Sequence, residues 1–261
     1  LKFERGKKYI NRENPLIRIM MGLGVLLATV IATLTARLLK YDKTAIVAGL
    51  YGFNAALVGV ALMLFLKSSI ISLLLVVFGA FLSTIIHHLF MKNNLPLFTF
   101  PFVIVTWLIL YAVNILLPEL NIEPLGNEII SNQFAYLIRG FGQVIFQDKI
   151  LSGILFFIAV FISMPIAALY GLAGGIITAV LATLLDIPTN DIANGLWSYN
   201  AVLCAITFAG KGYKDSLWVL SSVLLSFLFS ILLFKLKIIP LTFPFVASSF
   251  IITLIKRSLS K

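Results

Sequence analysis

The stretch that decides the fold is written twice in this chain. Residues 93–107 read NNLPLFTFPFVIVTW, and residues 237–250 read KIIPLTFPFVASSF. Each copy places Thr-Phe-Pro-Phe where an apolar segment begins, and the paired threonines are Thr99 and Thr242. Proline interrupts a helix and frees backbone carbonyl groups. We therefore expect each half of the chain to supply one broken helix at this motif.

A second repeated stretch lies upstream of each copy. Residues 49–62 read GLYGFNAALVGVAL and residues 195–208 read GLWSYNAVLCAITF, with Gly, Leu, Asn, Ala and Leu matching in register. Two matched halves in a membrane protein indicate an inverted repeat, whose broken helices meet at a site near the bilayer midplane. The pattern therefore predicts a channel or a transporter.

The composition of the chain excludes a soluble protein. Hydrophobic residues make up 61% of its 261 positions and charged residues 11%, and the mean hydropathy is +1.07. In a soluble domain about a quarter of the residues are charged. The formal net charge of +10 is spread through short connections, which favours membrane orientation over nucleic-acid binding. We predict a multi-pass protein of the cell inner (plasma) membrane, surrounded by the lipid bilayer, with no nucleic-acid partner.

Nine segments are apolar and long enough to cross the hydrocarbon, which takes about 20 helical residues. They are residues 16–39, 44–66, 69–90, 96–117, 150–168, 169–186, 190–209, 215–235 and 240–257. With these spans, Lys92 and Lys214 fall in connections on one side of the membrane, and Asp186 and Asp191 fall on the other. This distribution follows the positive-inside rule.

The stretch 129–146 is different, because it carries Asn132, Gln133, Arg139 and Gln143. So polar a segment is tolerated at membrane depth only where protein or a water-filled cavity surrounds it. We interpret it as a re-entrant half-helix that ends near Gln143. We expect Gln143 to share one central cavity with the two threonines of the repeated motif.

These patterns predict an all-α polytopic membrane protein. It would consist of two inverted repeats of spanning helices with a re-entrant half-helix, and about nine spans in this chain. Residues 1–117 would form the first inverted half, residues 118–128 an acidic external connection, and residues 129–261 the second inverted half.

The spans contain no pair of acidic residues, no P-loop and no Ser/His/Asp constellation. This favours passive conduction of a neutral polar solute over coupled transport, and it argues against an enzyme. We predict no cofactor and no metal site, since His87 and His88 near a helix end lack metal-ligand companions. For Asn54 and Asn200, a structural hydrogen bond between helices is the alternative to a role in a pore.

Four stretches carry a resemblance to a known family. They are LPLFTFPF at 95–102, GLYGFNAALVGVAL at 49–62, RGFGQVIFQ at 139–147 and GLWSYNAVLCAI at 195–206. The first matches a long family signature, which reads Leu-Pro, two residues, Thr, one residue, Pro-Phe. On these stretches the chain resembles the urea transporter family.

The resemblance implies a passive urea channel that assembles as a homotrimer, with a pore in each subunit. Pairs of phenylalanines would form flat slots for the planar urea, and a ladder of oxygen acceptors would receive its N–H groups. Carried onto this sequence, the half-helix tip is Gln143 and Val144, followed by Phe146. The slot walls are Phe53 and Leu57 in the first half and Tyr199 and Leu203 in the second. Phe53 lies beside Asn54 and Tyr199 beside Asn200 in the repeated stretch. The hydroxyl acceptors are Thr99 and Thr242.

The chain departs from the family pattern at its N-terminal end. The family should show a first-half copy of RGFGQVIF and a further spanning helix before residues 16–39. Residues 3–16 read FERGKKYINRENPL instead, with Lys8 roughly where the glutamine is expected. We therefore expect an N-terminally incomplete first half and chain ends on opposite sides of the membrane. The alternatives to a urea channel are a channel of the same fold for other small amides or ammonia, and a nonconducting remnant.

Overall fold

The computed structural model of the protein describes residues 15–122 and 136–259. The regular elements in these ranges are helices, apart from one isolated antiparallel bridge between Leu66 and Asn121. Contacts between residues divide the ranges into two compact units, residues 15–122 and residues 136–259. The expectations for Lys8, Asn132, Gln133 and most of the connection 118–128 lie outside the described residues.

The helices of both units follow the order expected for a repeat. The first unit contains α1 (Pro15–Leu38), α2 (Lys43–Val47), α3 (Leu50–Phe65), α4 (Ile70–Lys92) and α5 (Phe100–Leu116), followed by a 3-10 turn at Pro118–Leu120. The second unit contains α6 (Tyr136–Gln143), α7 (Ile150–Ser163), α8 (Pro165–Leu184), α9 (Thr189–Ala193), α10 (Tyr199–Phe208), α11 (Tyr213–Lys235) and α12 (Phe243–Leu259). Thus α1 to α5 and α8 to α12 follow the same order of long and short helices.

The backbone repeats in finer detail at four pairs of residues with positive φ. These are Lys40 and Asp186, both at 54°; Gly49 at 72° and Gly195 at 75°; Asn94 at 51° and Lys237 at 57°; and Phe98 at 43° and Leu241 at 44°. Each pair occupies matching positions in the two repeats. Left-handed backbone is costly for residues other than glycine, so its recurrence at the same places shows that the two units share their turns as well as their helices.

The helix boundaries differ from the predicted spans at several places. Residues 44–66 and 190–209 are each broken near their start, because Gly49 and Gly195 turn the chain through left-handed backbone. Residues 96–117 and 240–257 become helical only at Phe100 and Phe243. The predicted boundary between residues 168 and 169 lies instead at Met164, since Pro165 begins α8, a position that suits proline.

Helix length also varies more than the predicted spans suggest. Within the described residues, α1, α4, α8 and α11 are long and apolar enough to cross a membrane, whereas α3, α5, α7 and α10 are shorter apolar helices. Helices α3, α5 and α10 are shorter because each follows a break in the chain, and α7 because it precedes one. Hydropathy does not report backbone turns, so these lengths could not be predicted from it.

Helices α1 and α3 cross where both lack a side chain. A Cβ on Gly59 would lie 2.2 Å from the carbonyl oxygen of Gly24 and 2.9 Å from the Cβ of Ala28. In the second unit the alanine and the glycine change places: Gly174 of α8 matches Ala28 of α1, and Ala205 of α10 matches Gly59 of α3. A Cβ on Gly174 would lie 3.2 Å from the Cβ of Ala205. Because lipid tails supply little hydrophobic drive between helices, membrane proteins rely on such close backbone packing.

Substitution of Gly24 by alanine tests this crossing. The added Cβ would meet Met63 Cγ at 2.6 Å and the carbonyl oxygen of Gly59 at 2.7 Å, so we expect a loss of about 1–3 kcal/mol of stability. Gly22→Ala in the same helix is the matched control, because a Cβ there meets nothing within 4 Å. Thermal unfolding of the protein in detergent measures both variants, and equal unfolding temperatures would contradict the close crossing.

Candidate functional site

The side chain of Asn54 joins α3 to the start of the broken helix α5. Its Oδ1 accepts the backbone N–H of Phe102 at 3.2 Å, and its Nδ2 donates to the carbonyl oxygen of Phe98 at 3.2 Å. One buried amide therefore bridges the interruption that the Thr-Phe-Pro-Phe motif creates.

The second unit repeats this bridge with Asn200. Its Oδ1 accepts the N–H of Phe245 at 3.2 Å, and its Nδ2 donates to the carbonyl oxygen of Leu241 at 3.3 Å. The structure thus shows both repeated asparagines in the structural role that the sequence left open as an alternative. A direct contact of either with a solute stays a prediction.

Each motif accounts for the backbone donors at the start of its helix. In α5, the N–H of Phe100 donates to the backbone carbonyl oxygen of Leu97 and the N–H of Val103 to that of Thr99, at 3.1 Å each. Pro101 has no backbone N–H to donate. In α12, the N–H groups of Phe243 and Val246 donate to Pro240 and Thr242 in the same way, at 3.0 Å each. Thr99 and Thr242 are both buried. With the asparagine bridge, these bonds satisfy the first N–H groups of helices that begin in apolar surroundings.

A cavity of about 460 Å³ opens beside Asn54 in the first unit. It is lined by Ala48, Gly49, Leu50, Phe53, Asn54, His87, Met91, Leu97 and Phe98. Phe53 is 54% exposed, although it belongs to a helix whose other residues are mostly buried, and Leu57 one turn later is buried. The predicted wall residue Phe53 therefore presents its ring to a cavity, whereas the predicted wall residue Leu57 is not among the residues that line it.

Tyr199 and Leu203 occupy the matching positions of α10. Tyr199 is only 8% exposed, and its hydroxyl donates to the carbonyl oxygen of Leu241, the same oxygen that Asn200 bonds. Leu203 is half-buried. The tyrosine hydroxyl thus gives the second unit an extra internal bond that Phe53 lacks, and the predicted pore role of both residues stays a prediction.

The half-helix α6 ends at Gln143, as the sequence predicts. Its Nε2 donates to the carbonyl oxygen of Asn194 at 2.8 Å, and Arg139 Nη1 donates to that of Ala193 at 3.4 Å. Both acceptors follow or end the short helix α9, so the tip of α6 is fixed against the turn that opens the repeat.

Beyond this tip the chain turns sharply. Val144 is buried, while Phe146 is half-buried and has φ of 60°. The N–H of Phe146 donates to the carbonyl oxygen of Gln143 at 3.0 Å. A shared cavity for Gln143, Thr99 and Thr242 stays a prediction.

The role of His87 could not be predicted from the sequence. His87 is 3% exposed, and its Nδ1 lies 3.3 Å from Nδ2 of Asn54. His88 bonds the hydroxyl of Tyr51 at 3.1 Å and stacks on Tyr41 at 3.6 Å between ring centroids. The repeat could not have revealed this pair, since Ser230 occupies the position in α11 that matches His87 in α4.

Comparison with known proteins identifies the family. A family model described as Urea transporter matches residues 16–257. This chain belongs to the urea transporter family. Membership confirms the prediction of an all-α, multi-pass membrane fold, which the apolar helices of the described residues also support.

Individual members of the urea transporter family are similar over most of this chain. Urea transporter 1 of Rattus norvegicus is 32% identical over 204 residues, which cover 70% of this chain and 52% of the rat protein. Urea transporter 1 of Mus musculus is 30% identical over 230 residues, with 76% and 59% covered, and that of Ovis aries is 27% identical over the same length. The chain thus spans between half and three fifths of the length of these relatives.

Replacement of Asn54 by leucine tests the bridge to α5. The variant would leave the N–H of Phe102 and the carbonyl of Phe98 without their shared partner, and each unmade buried bond costs about 1–3 kcal/mol. We expect a loss of roughly 2–4 kcal/mol of stability, measured by thermal unfolding in detergent, and a similar loss for Asn200→Leu.

Asn93→Leu is the control for this substitution. Its side chain bonds the carbonyl oxygen of Leu89 at an exposed helix end, where water can replace the amide. An unfolding temperature for Asn54→Leu equal to that of the control would show that the asparagine bridge does not stabilise the fold.

Proposed function

We propose that the protein is a passive transmembrane channel for urea. The observation that carries the proposal is the cavity whose wall includes the exposed ring of Phe53, in a chain of the urea transporter family. Urea is planar, neutral and polar, with four N–H donors, and an aromatic face suits its flat surface. An ion, in contrast, needs polar groups to replace its hydration shell.

Passive conduction is supported by the charges of the helices. Among the described apolar helices, Asp215 in the first turn of α11 is the one carboxylate, and it lies 3.8 Å from Lys256 and accepts the N–H of Gly212. Many proton- and ion-coupled transporters place carboxylates inside their spans. We therefore propose a channel without ion coupling and without enzymatic activity.

The residues proposed to contact urea remain those that the family resemblance assigns. They are Gln143, Val144, Phe146, Thr99, Thr242, Phe53, Leu57, Tyr199, Leu203, Asn54 and Asn200. The cavity supports Phe53 and Asn54 directly, while the buried state of Leu57 and Tyr199 favours a supporting position behind the wall. We also propose a homotrimer in the plasma membrane, with a conduction path in each subunit.

Replacement of Phe53 by alanine tests the proposed function. The purified full chain, reconstituted in proteoliposomes, should conduct radiolabelled urea faster than acetamide and ammonia. Loss of an aromatic contact is worth about 0.5–1.5 kcal/mol, so Phe53→Ala should lower the ratio of urea flux to acetamide flux by roughly two- to tenfold.

Phe78→Ala in α4 is the matched control. Phe78 is 55% exposed, close to the value of Phe53, but it does not line the cavity. Its flux ratio should remain that of the unmodified chain. A well-folded chain that conducts no urea would favour the nonconducting alternative, and preference for acetamide or ammonia would favour the other channel.

A further inference from the structure

The hydrogen bonds of Asn54 determine which nitrogen of His87 carries a proton. The backbone N–H of Phe102 can only donate, so the Asn54 atom that receives it must be the oxygen. The other amide atom is therefore the NH₂ nitrogen, which faces both the carbonyl of Phe98 and Nδ1 of His87. Since that nitrogen only donates, Nδ1 must accept, and the neutral ring carries its hydrogen on Nε2.

His87 is the polar donor that remains for an occupant of the cavity. Of the nine lining residues, only Asn54 and His87 have nitrogen or oxygen atoms in their side chains. Asn54 directs both N–H groups to protein acceptors. Among the described residues, the bond to Asn54 is the one hydrogen bond of the His87 ring, so its Nε2–H has no acceptor within those ranges.

We propose that His87 is a specificity-determining residue whose Nε2–H donates to the carbonyl oxygen of a solute in this cavity. The inference rests on the proposed urea conduction and adds a hydrogen-bond donor for the oxygen of urea. Oxygen acceptors can pair with the N–H groups of urea, but its single oxygen needs a donor. A buried donor left unpaired by the wrong solute disfavours that solute.

This donor is specific to the first unit. In α11 the matching residue is Ser230, and its hydroxyl donates to the carbonyl oxygen of Ser226 at 2.9 Å. The serine is therefore committed to its own helix. His87→Ser would copy the second unit into the first and remove the donor from the cavity.

The test compares urea with thiourea, which keeps the planar shape and the four N–H groups but replaces the oxygen by sulfur, a weak acceptor. Fluxes are measured with the full chain in proteoliposomes. His87→Leu and His87→Ser should lower the urea-to-thiourea flux ratio by about three- to tenfold, as the loss of one hydrogen bond implies. His87→Gln should restore most of the ratio, because its amide can accept from Asn54 and still donate.

His88→Leu is the control, since His88 bonds Tyr51 and stacks on Tyr41 without lining the cavity. It should leave the ratio unchanged even if it lowers thermal stability. If the unmodified chain conducts urea and folded His87→Leu or His87→Ser keeps its urea-to-thiourea flux ratio, the donor role is overturned and the channel proposal stands. Absence of urea flux in the folded, unmodified chain overturns the channel itself and the donor role with it.

Discussion

A helix that begins inside an apolar environment must find partners for its first backbone N–H groups, and the rest of this structure depends on how it does so. Outside water, each unpaired group costs free energy comparable to a lost hydrogen bond. Of the first four residues of each helix, the proline has no N–H, and two N–H groups donate to backbone carbonyls of residues before the proline. The remaining N–H group donates to the side chain of an asparagine from a neighbouring helix. The break in the helix is thereby stable without solvent.

This solution explains why two separate stretches are repeated together. The asparagine of α3 bonds both the carbonyl of the left-handed residue Phe98 and the N–H of Phe102, the third residue of α5, so its position and the start of α5 must match. The same dependence holds between α10 and α12. A chemical role for the threonines beside these breaks remains compatible with this scheme, because their backbone carbonyls, not their hydroxyls, accept the helical bonds.

Much of this architecture could be predicted from the sequence. The order of the apolar helices and the end of the half-helix at Gln143 follow from hydropathy and repeated motifs, and the cavity position of Phe53 agrees with what the family resemblance implied. The exact breaks could not be predicted, because hydropathy does not report the backbone angle of Gly49 or Gly195. The contact between His87 and Asn54 was also missed, since it joins two helices and has no counterpart in the second half.

The exchange of small residues between the two units makes their helices non-interchangeable. In the first unit an alanine of α1 faces a glycine of α3, and in the second a glycine of α8 faces an alanine of α10. A hybrid that paired α1 with α10 would bring Ala28 against Ala205, two methyl groups where each crossing has room for one. The reverse hybrid would bring two glycines together and leave a void. Each crossing therefore fits only its own pair of helices. A segment exchanged between the halves would have to carry both helices of a pair, α1 with α3 or α8 with α10.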